Sequence, residues 1–358
     1  MLAKIDFYNK MLQMNDYIWI LYENISSDLK LPAKEQSDHL GDADIEIRIK
    51  RVLATNPVVI IPEQIEGEIV TTVGSYCFAE NGHLSEEENK LIQEQLKQDF
   101  GLCEMCGNDI QKIILPDSVT TLESYAFYQC RELNELEVGT KLDVVHSDVF
   151  MNCRKLHHIF IRGRADEKTG LKFILSRLNL DVEVVFRGND RNCICDEEDI
   201  DCDQEKIARL FYPEYIEGYE EIGPAHIFAL NVEGEGYRAR QCFKDNVIDI
   251  EKYDAIFEKS TNLENFDVLL QMALDRLMVP YGLSASARIQ YETYIEQNGH
   301  RILLYIIGKK DLEQLNYLGQ VGVLRAADYK AAIQEAIAKN WTEGCALLIQ
   351  YAGKRNLS

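Results

Sequence analysis

Four apolar residues, Leu115, Val138, Ile161 and Val184, recur every 23 residues, and no other feature limits the fold so tightly. Around them residues 110–133 superpose on 133–156, and a remnant begins at Leu156. Phe127 lines up with Phe150, and Cys130 with Cys153. Each unit opens on a strand pattern, Ile110-x-x-Ile113-x-Leu115 and Leu133-x-x-Leu136-x-Val138, whose alternate apolar side chains point one way. It continues through a second apolar stretch that ends in Ala126-Phe127 or Val149-Phe150. A unit of this size cannot bury its own apolar face, so the units must stack, strand beside strand, with Phe and Cys inside.

An earlier copy lies at residues 58–81, reading Val-Val-Ile-Ile-Pro-Glu-Gln-Ile-Glu-Gly-Glu-Ile-Val-Thr-Thr-Val-Gly-Ser-Tyr-Cys-Phe-Ala-Glu-Asn. The strand ending in Ile-Pro and the later Val-Gly-x-x-x-Phe resemble the bacterial surface-antigen (BspA-like) type of leucine-rich repeat. Ile113-x-Leu115-Pro116, Val119, Leu122, Ala126-Phe127 and Cys130 match that unit position by position, as do Leu136-x-Val138, Val145, Phe150 and Cys153. The departures are Cys77 and Val149 in place of Ala, Asn81 in place of the interior Cys, and Glu123 and His146 in place of Gly. The resemblance covers residues 56–187. It implies an α+β chain whose first half is a short solenoid with an exposed sheet, and it implies binding without catalysis. Members of that family are often exported.

Outside the repeats the chain changes character. Residues 1–55 carry the period-two run Asp44-Ile-Glu-Ile-Arg-Ile and read as strands of an N-terminal cap. An insertion at 82–109 opens with Ser85-Glu86-Glu87-Glu88, an N-cap followed by acids, which predicts a helix to about Phe100 on the convex or lateral side. Residues 188–204 are polar and acidic and mark a linker. Residues 205–358 read as a mainly α-helical domain. Phe266, Leu269, Leu270, Ala273, Leu274 and Leu277 keep helical spacing up to Pro280-Tyr-Gly282, and Asp311 and Asp328 are N-cap candidates. Segments 302–324 and 331–351 look loosely like ankyrin-type helix pairs but lack the Thr-Pro-Leu-His signature. The loop at 234–241 fits no class.

Charge and thiols narrow the function. A net charge of -22 with no concentrated Lys/Arg run repels a phosphate backbone, so nucleic acid is not an expected partner. No apolar run reaches the length of a membrane span, and the N-terminus lacks the basic start and long apolar core of a signal peptide, which predicts a cytoplasmic location. Ten cysteines without an export signal point to free thiols in a reducing compartment. Cys103-Glu-Met-Cys106 has the spacing of a metal or redox pair, but a zinc site wants four ligands and only Cys193, Cys195 and Cys202 stand in reserve. The acidic run at 196–203 lacks the Gly turn and distal Glu of a calcium loop. There is no Gly-x-Ser-x-Gly elbow, and Gly234-Glu-Gly-Tyr-Arg lacks the third glycine of a phosphate loop. No cofactor is expected, and the chain is not expected to be an enzyme.

What remains is the sheet face. In the repeat register the outward strand residues form one column of Ile60, Ile114, Glu137, Phe160 and Glu183, and a second of Lys112, Glu135 and His158. Two isoleucines and a Phe with charged edges have the make-up of a protein interface. The expectation is therefore an adaptor that binds a protein partner through Ile60, Lys112, Ile114, Glu135, Glu137, His158 and Phe160. The alternatives are a surface or cell-wall ligand module, and a zinc or thiol-redox protein using Cys103 and Cys106.

Overall fold

The computed structural model describes residues 10–15, 18–26, 45–80, 82–99, 101–188, 206–222 and 227–356. Strands β1 (Lys10–Asn15), β2 (Ile18–Ser26) and β3 (Ile45–Ala54) form an antiparallel meander at the start of the repeats. The chain then alternates between two sheets. Strand β4 (Val58–Ile60) lies in one, and β5 (Gln64–Ile65) and β6 (Glu68–Val73) lie in the other. After helix α1 (Glu86–Gln98) and β7 (Cys103–Glu104), the pattern repeats through β8 (Lys112–Ile114), β9 (Thr121–Leu122), β10 (Glu135–Gly139), β11 (Val144–Val145) and β12 (His158–Arg162). The long sheet holds β4, β8, β10 and β12 in parallel. The short one holds β6, β9 and β11 in parallel and is extended by the N-terminal meander through β3.

The interior between the sheets explains why the Phe and Cys recur. Rings Phe78, Phe127 and Phe150 stack at 5.0 and 5.6 Å, tilted by only 4° and 15°. The Cys130 thiol donates to the Phe78 carbonyl at 3.1 Å, and Cys153 to the Phe127 carbonyl at 3.0 Å, so each thiol ties its unit to the one before. Before each Phe the chain reverses through a residue in the left-handed region: Tyr76 (φ 58°), Tyr125 (φ 62°) and Asp148 (φ 57°). An aromatic residue in that region is strained, and the stacking of Tyr76 on Tyr125 at 5.0 Å offsets part of the cost.

The insertion is helical as its sequence predicts. Ser85 caps α1, accepting from Glu88 N at 3.2 Å, while the Glu88 carboxylate accepts from Ser85 N at 2.6 Å. Ile92 of α1 packs with Leu21, Leu53 and Leu102 in a small core of its own, so the helix lies on the N-terminal meander. Arg51, 2% exposed, donates to the carbonyls of Cys77 and Ala79 and anchors the meander to the first Phe turn.

Between β4 and β8 the insertion stretches the spacing to 54 residues, and past β12 the period fails again. Helix α2 (Leu171–Leu175) replaces a short-sheet strand, and β13 (Val182–Arg187) then pairs with β12 so that Ile159 meets Val184 and Ile161 meets Phe186. Val184 thus stands two residues out of the 23-residue register, because the helical turn takes up extra chain. The long sheet also outruns the linker: β14 (Lys206–Tyr212) pairs antiparallel with β13. Residues 206–212, grouped by sequence with the helical half, are therefore the last strand of the repeat sheet.

A two-stranded hairpin of β15 (Ile216–Ile222) and β16 (Ile227–Glu233) follows. The loop at 234–241 proves to be a short helix, α3 (Gly236–Ala239), and it is the joint of the molecule. Arg240, 4% exposed, donates to four carbonyls: Leu178 at 2.8 Å, Leu180 and Pro213 at 2.5 Å, and Gly236 at 3.0 Å. Burial lowers its pKa to about 10, which leaves it charged at neutral pH. Gly236 is required for the approach, since a Cβ there would lie 2.0 Å from the Pro213 carbonyl oxygen.

Beyond a tight hairpin of β17 (Phe243–Lys244) and β18 (Val247–Ile248), the described residues end in seven helices: α4 (Ile250–Ser260), α5 (Phe266–Met278), α6 (Ala285–Gln297), α7 (Gly299–Lys309), α8 (Leu312–Val321), α9 (Ala326–Ala338) and α10 (Thr342–Asn356). α5 packs on β14. The Tyr253 hydroxyl of α4 accepts from Phe211 N and donates to Phe211 O, which closes the open edge of β14. Buried Arg276 holds Asp254 by two bonds of 2.7 and 2.9 Å, and Tyr291 donates to the same carboxylate, joining α4, α5 and α6. α7 packs on α9 and α8 on α10. Lys310 and Asn340, thirty residues apart, are both left-handed (φ 56° and 52°) and end α7 and α9 alike. Asp311 caps α8 as the sequence suggests. Asp328 instead sits three residues past the cap and accepts from Arg325 N at 3.1 Å.

Two substitutions test this construction. Phe127→Ala removes the middle ring of the stack and is expected to cost roughly 3–5 kcal/mol in urea unfolding. Arg240→Met leaves buried carbonyls without donors and is expected to cost about 3 kcal/mol or more.

Candidate functional site

The outward face of the long sheet carries the candidate residues in hydrogen-bonded register. Val58, Lys112, Glu135, His158, Glu183 and Phe211 form one column. Ile60, Ile114, Glu137, Phe160, Val185 and Arg209 form the next. Glu183 therefore belongs beside His158 and not beside Phe160. The two-residue slip at α2 that displaces Val184 displaces it too.

The face is an ion-pair lattice around one aromatic ring. Lys112 pairs with Glu135 at 2.9 Å, and the His158 ring hydrogen-bonds the Glu183 carboxylate at 3.0 Å. Glu137, only 7% exposed, takes Arg162 at 2.7 Å and Arg187 at 3.2 Å. Arg162 also reaches Asp117 at 2.9 Å and the Leu115 carbonyl. The Arg187 guanidinium lies 4.0 Å over the Phe160 ring, with the Lys112 ammonium 5.8 Å from its centre. Apolar surface gathers instead at the β4 end, where Ile60 is 45% exposed and Ile114 half-buried. Arg162 and Arg187 form a third outward column with Gly139, which the 23-residue spacing does not reveal because the slip at α2 brings Arg187, and not Val185, beside Arg162. The sequence reading missed Arg209 because β14 was not recognised as part of the sheet.

At the other end the lattice runs into the helices. Glu183 binds Arg209, and Arg209 binds buried Asp275 of α5 at 2.9 Å. Burial works against the Glu183 carboxylate, but the hydrogen bond from His158 and the Arg209 charge outweigh it and hold its pKa below the ordinary value. Between sheet and helices lies a groove of about 480 Å³, lined by His157, His158, Glu183, Arg209 and Phe211 on one side and Gln271, Tyr305 and Lys309 on the other. Two of the candidate partner-binding elements, the sheet face and the helical half, therefore meet at one place.

Residues 71–173 match the model of the BspA-type leucine-rich repeat region, with six copies. Among solved structures, a leucine-rich repeat protein of T. pallidum is similar at 19% identity, over 36% of this chain and 70% of that one, with a TM-score of 0.20. No curated protein shows a significant match. Repeats of this type are typically protein-interaction modules and generally non-enzymatic.

The thiols were the main rival chemistry. Among the described residues no three His, Cys, Asp or Glu side chains gather as a metal cluster, and no helix is long and apolar enough to cross a membrane. Cys193, Cys195, Cys202 and the acidic run at 196–203 lie outside the described residues. Cys103 is exposed and sits with Glu104 on β7, antiparallel to β3. Cys106 is half-buried, and burial raises its thiol to about 11, which makes it a poor nucleophile at neutral pH. Burial pushes Cys77 up to about 12, and the neighbouring Cys153 thiol together with burial pushes Cys130 up as well. A raised pKa means less thiolate at any given pH, so Cys106 is expected to alkylate on the order of a hundredfold more slowly than free cysteine at pH 8. Its rate should climb about tenfold per pH unit up to about pH 10. Among the thiols of the described residues, peptide mapping after iodoacetamide should find Cys103 modified first, and Cys77, Cys130 and Cys153 only after unfolding.

Proposed function

We propose, from the BspA-type leucine-rich repeats at residues 71–173 as premise, that this chain is a non-enzymatic protein-interaction module whose recognition surface is the outward face of the long sheet. The repeats are read as a short solenoid, and the paired helices α7–α10 as a second stacked array that walls one end of the surface. The observation that carries the reading is the ion-paired lattice around Phe160. Its long side chains are held in place before any partner arrives, so binding orders few of them, and pre-organisation of that kind lowers the cost of association. Arginine and aromatic side chains together are what interface centres favour. Ile60 and Ile114 add apolar contact at one end, and the groove at the His158–Arg209 end accepts a projecting side chain.

The partner is a protein. The net charge of -22 opposes nucleic acid. The free, buried thiols of Cys77, Cys130 and Cys153 suit a reducing compartment, in keeping with a cytoplasmic location.

The test compares native protein with a variant carrying Ile114→Asp and Phe160→Asp in affinity capture from lysate of the source cell. Both positions are outward, and the carboxylate that replaces the Phe160 ring would lie between Arg187 and Lys112, so the variant should stay folded by circular dichroism and melting. A defined protein retained by the native chain and lost by the variant is the expected result. Equal retention by both would remove the sheet face from the account.

A further inference from the structure

The helix pair α9/α10 shows, on its outer side, the kind of surface that α7/α8 has already covered. In the first pair Ile307 is fully buried, and Gly319 lies so close to α10 that a Cβ would come within 2.1 Å of the Tyr351 ring. Thirty residues on, the equivalent positions are Ile337, 60% exposed, and Ile349, 56% exposed. On α10 the exposed residues Thr342, Ala346, Ile349 and Gly353 follow one another at helical spacing. They form a flat strip of small side chains around one isoleucine, on the side away from the buried Leu348 and Tyr351. Small residues allow a second helix close approach, and two large exposed isoleucines, one on each helix of the pair, are apolar surface that association would remove from water.

Charge names the occupant. Glu343 in the first turn of α10 and Lys354 near its end are both exposed and form no ion pair among the described residues; the Lys354 ammonium rests 5.2 Å from the centre of its own helix's Tyr351 ring and must swing outward to meet a partner. They stand six residues before Ile349 and five after it. An identical helix laid antiparallel about a two-fold axis near Ile349 brings each Glu343 opposite the other copy's Lys354, while the two Ile349 side chains meet at the centre. A surface complementary to itself in this way is what an isologous dimer requires.

We propose that the α9/α10 face is the dimer interface of this chain, with α10 antiparallel to α10 of a second copy. The long repeat sheet takes no part in the contact, so a dimer presents two recognition faces and gains avidity toward any partner with repeated epitopes. The proposal is independent of the sheet-face reading.

Sedimentation equilibrium of the full chain should give a reversible dimer. Ile337→Asp with Ile349→Asp should weaken it by about tenfold or more while leaving the melting temperature near that of the native chain. Glu343→Lys alone places like charges across the axis and should weaken association about fivefold, and adding Lys354→Glu should restore it to within about twofold. A monomer at every concentration, or a dimer indifferent to the isoleucine substitutions, overturns the proposal. A charge reversal that fails to rescue overturns the antiparallel arrangement.

Discussion

Everything outward in this molecule depends on the stack of Phe78, Phe127 and Phe150 and on the thiols that tie each unit to the carbonyl before it. The rings fix the distance from one turn to the next, and the Cys130 and Cys153 bonds fix which turn follows which. With the interior in register, strands β4, β8, β10 and β12 bring equivalent repeat positions side by side, and their outward side chains fall into columns. The requirement explains a tolerance as well. Tyr76, Tyr125 and Asp148 accept left-handed backbone because the chain must reverse there to return the next Phe to the stack.

The columns do not form the apolar patch that two isoleucines and a Phe suggest in one dimension. Phe160 is covered by Arg187, and Glu137 is enclosed by two guanidinium groups. On the proposed reading, such a face would gain specificity from charge placement more than from buried area, since a partner would have to match alternating signs or leave desolvated charges unpaired. The chain through Glu183, Arg209 and Asp275 extends the same order into α5, so the sheet and the helices share one charged seam.

The parts legible in the sequence were those set by a regular spacing. The strand alternation, the Ser85 capping box and the α5 stripe depend on residues a few positions apart, the Phe and Cys repeat on a constant interval of 23 residues, and each appears where expected. What stayed hidden depended on distant pairing. Nothing near residue 206 announces that it will join β13 across the acidic segment, and Arg240 reads as an ordinary loop arginine until four carbonyls from three places converge on it. The Glu183 column was misplaced because the single helical turn of α2 shifts the register by two residues, and a period counted along the chain cannot see that. The same slip hides the Arg162–Arg187 column, because a 23-residue period sets Arg162 beside Val185.

We propose that partner recognition occurs on the outward face of the long sheet. Covalent footprinting of a purified complex tests it most directly, using carboxyl labelling at Glu135, imidazole labelling at His158 and amine labelling at Lys112, with exposed Lys155 as an internal control. The account predicts that the three face residues lose reactivity in the complex while Lys155 keeps its own. Unchanged labelling of the face, with protection appearing only on the β15–β16 hairpin or on the helices, would contradict it.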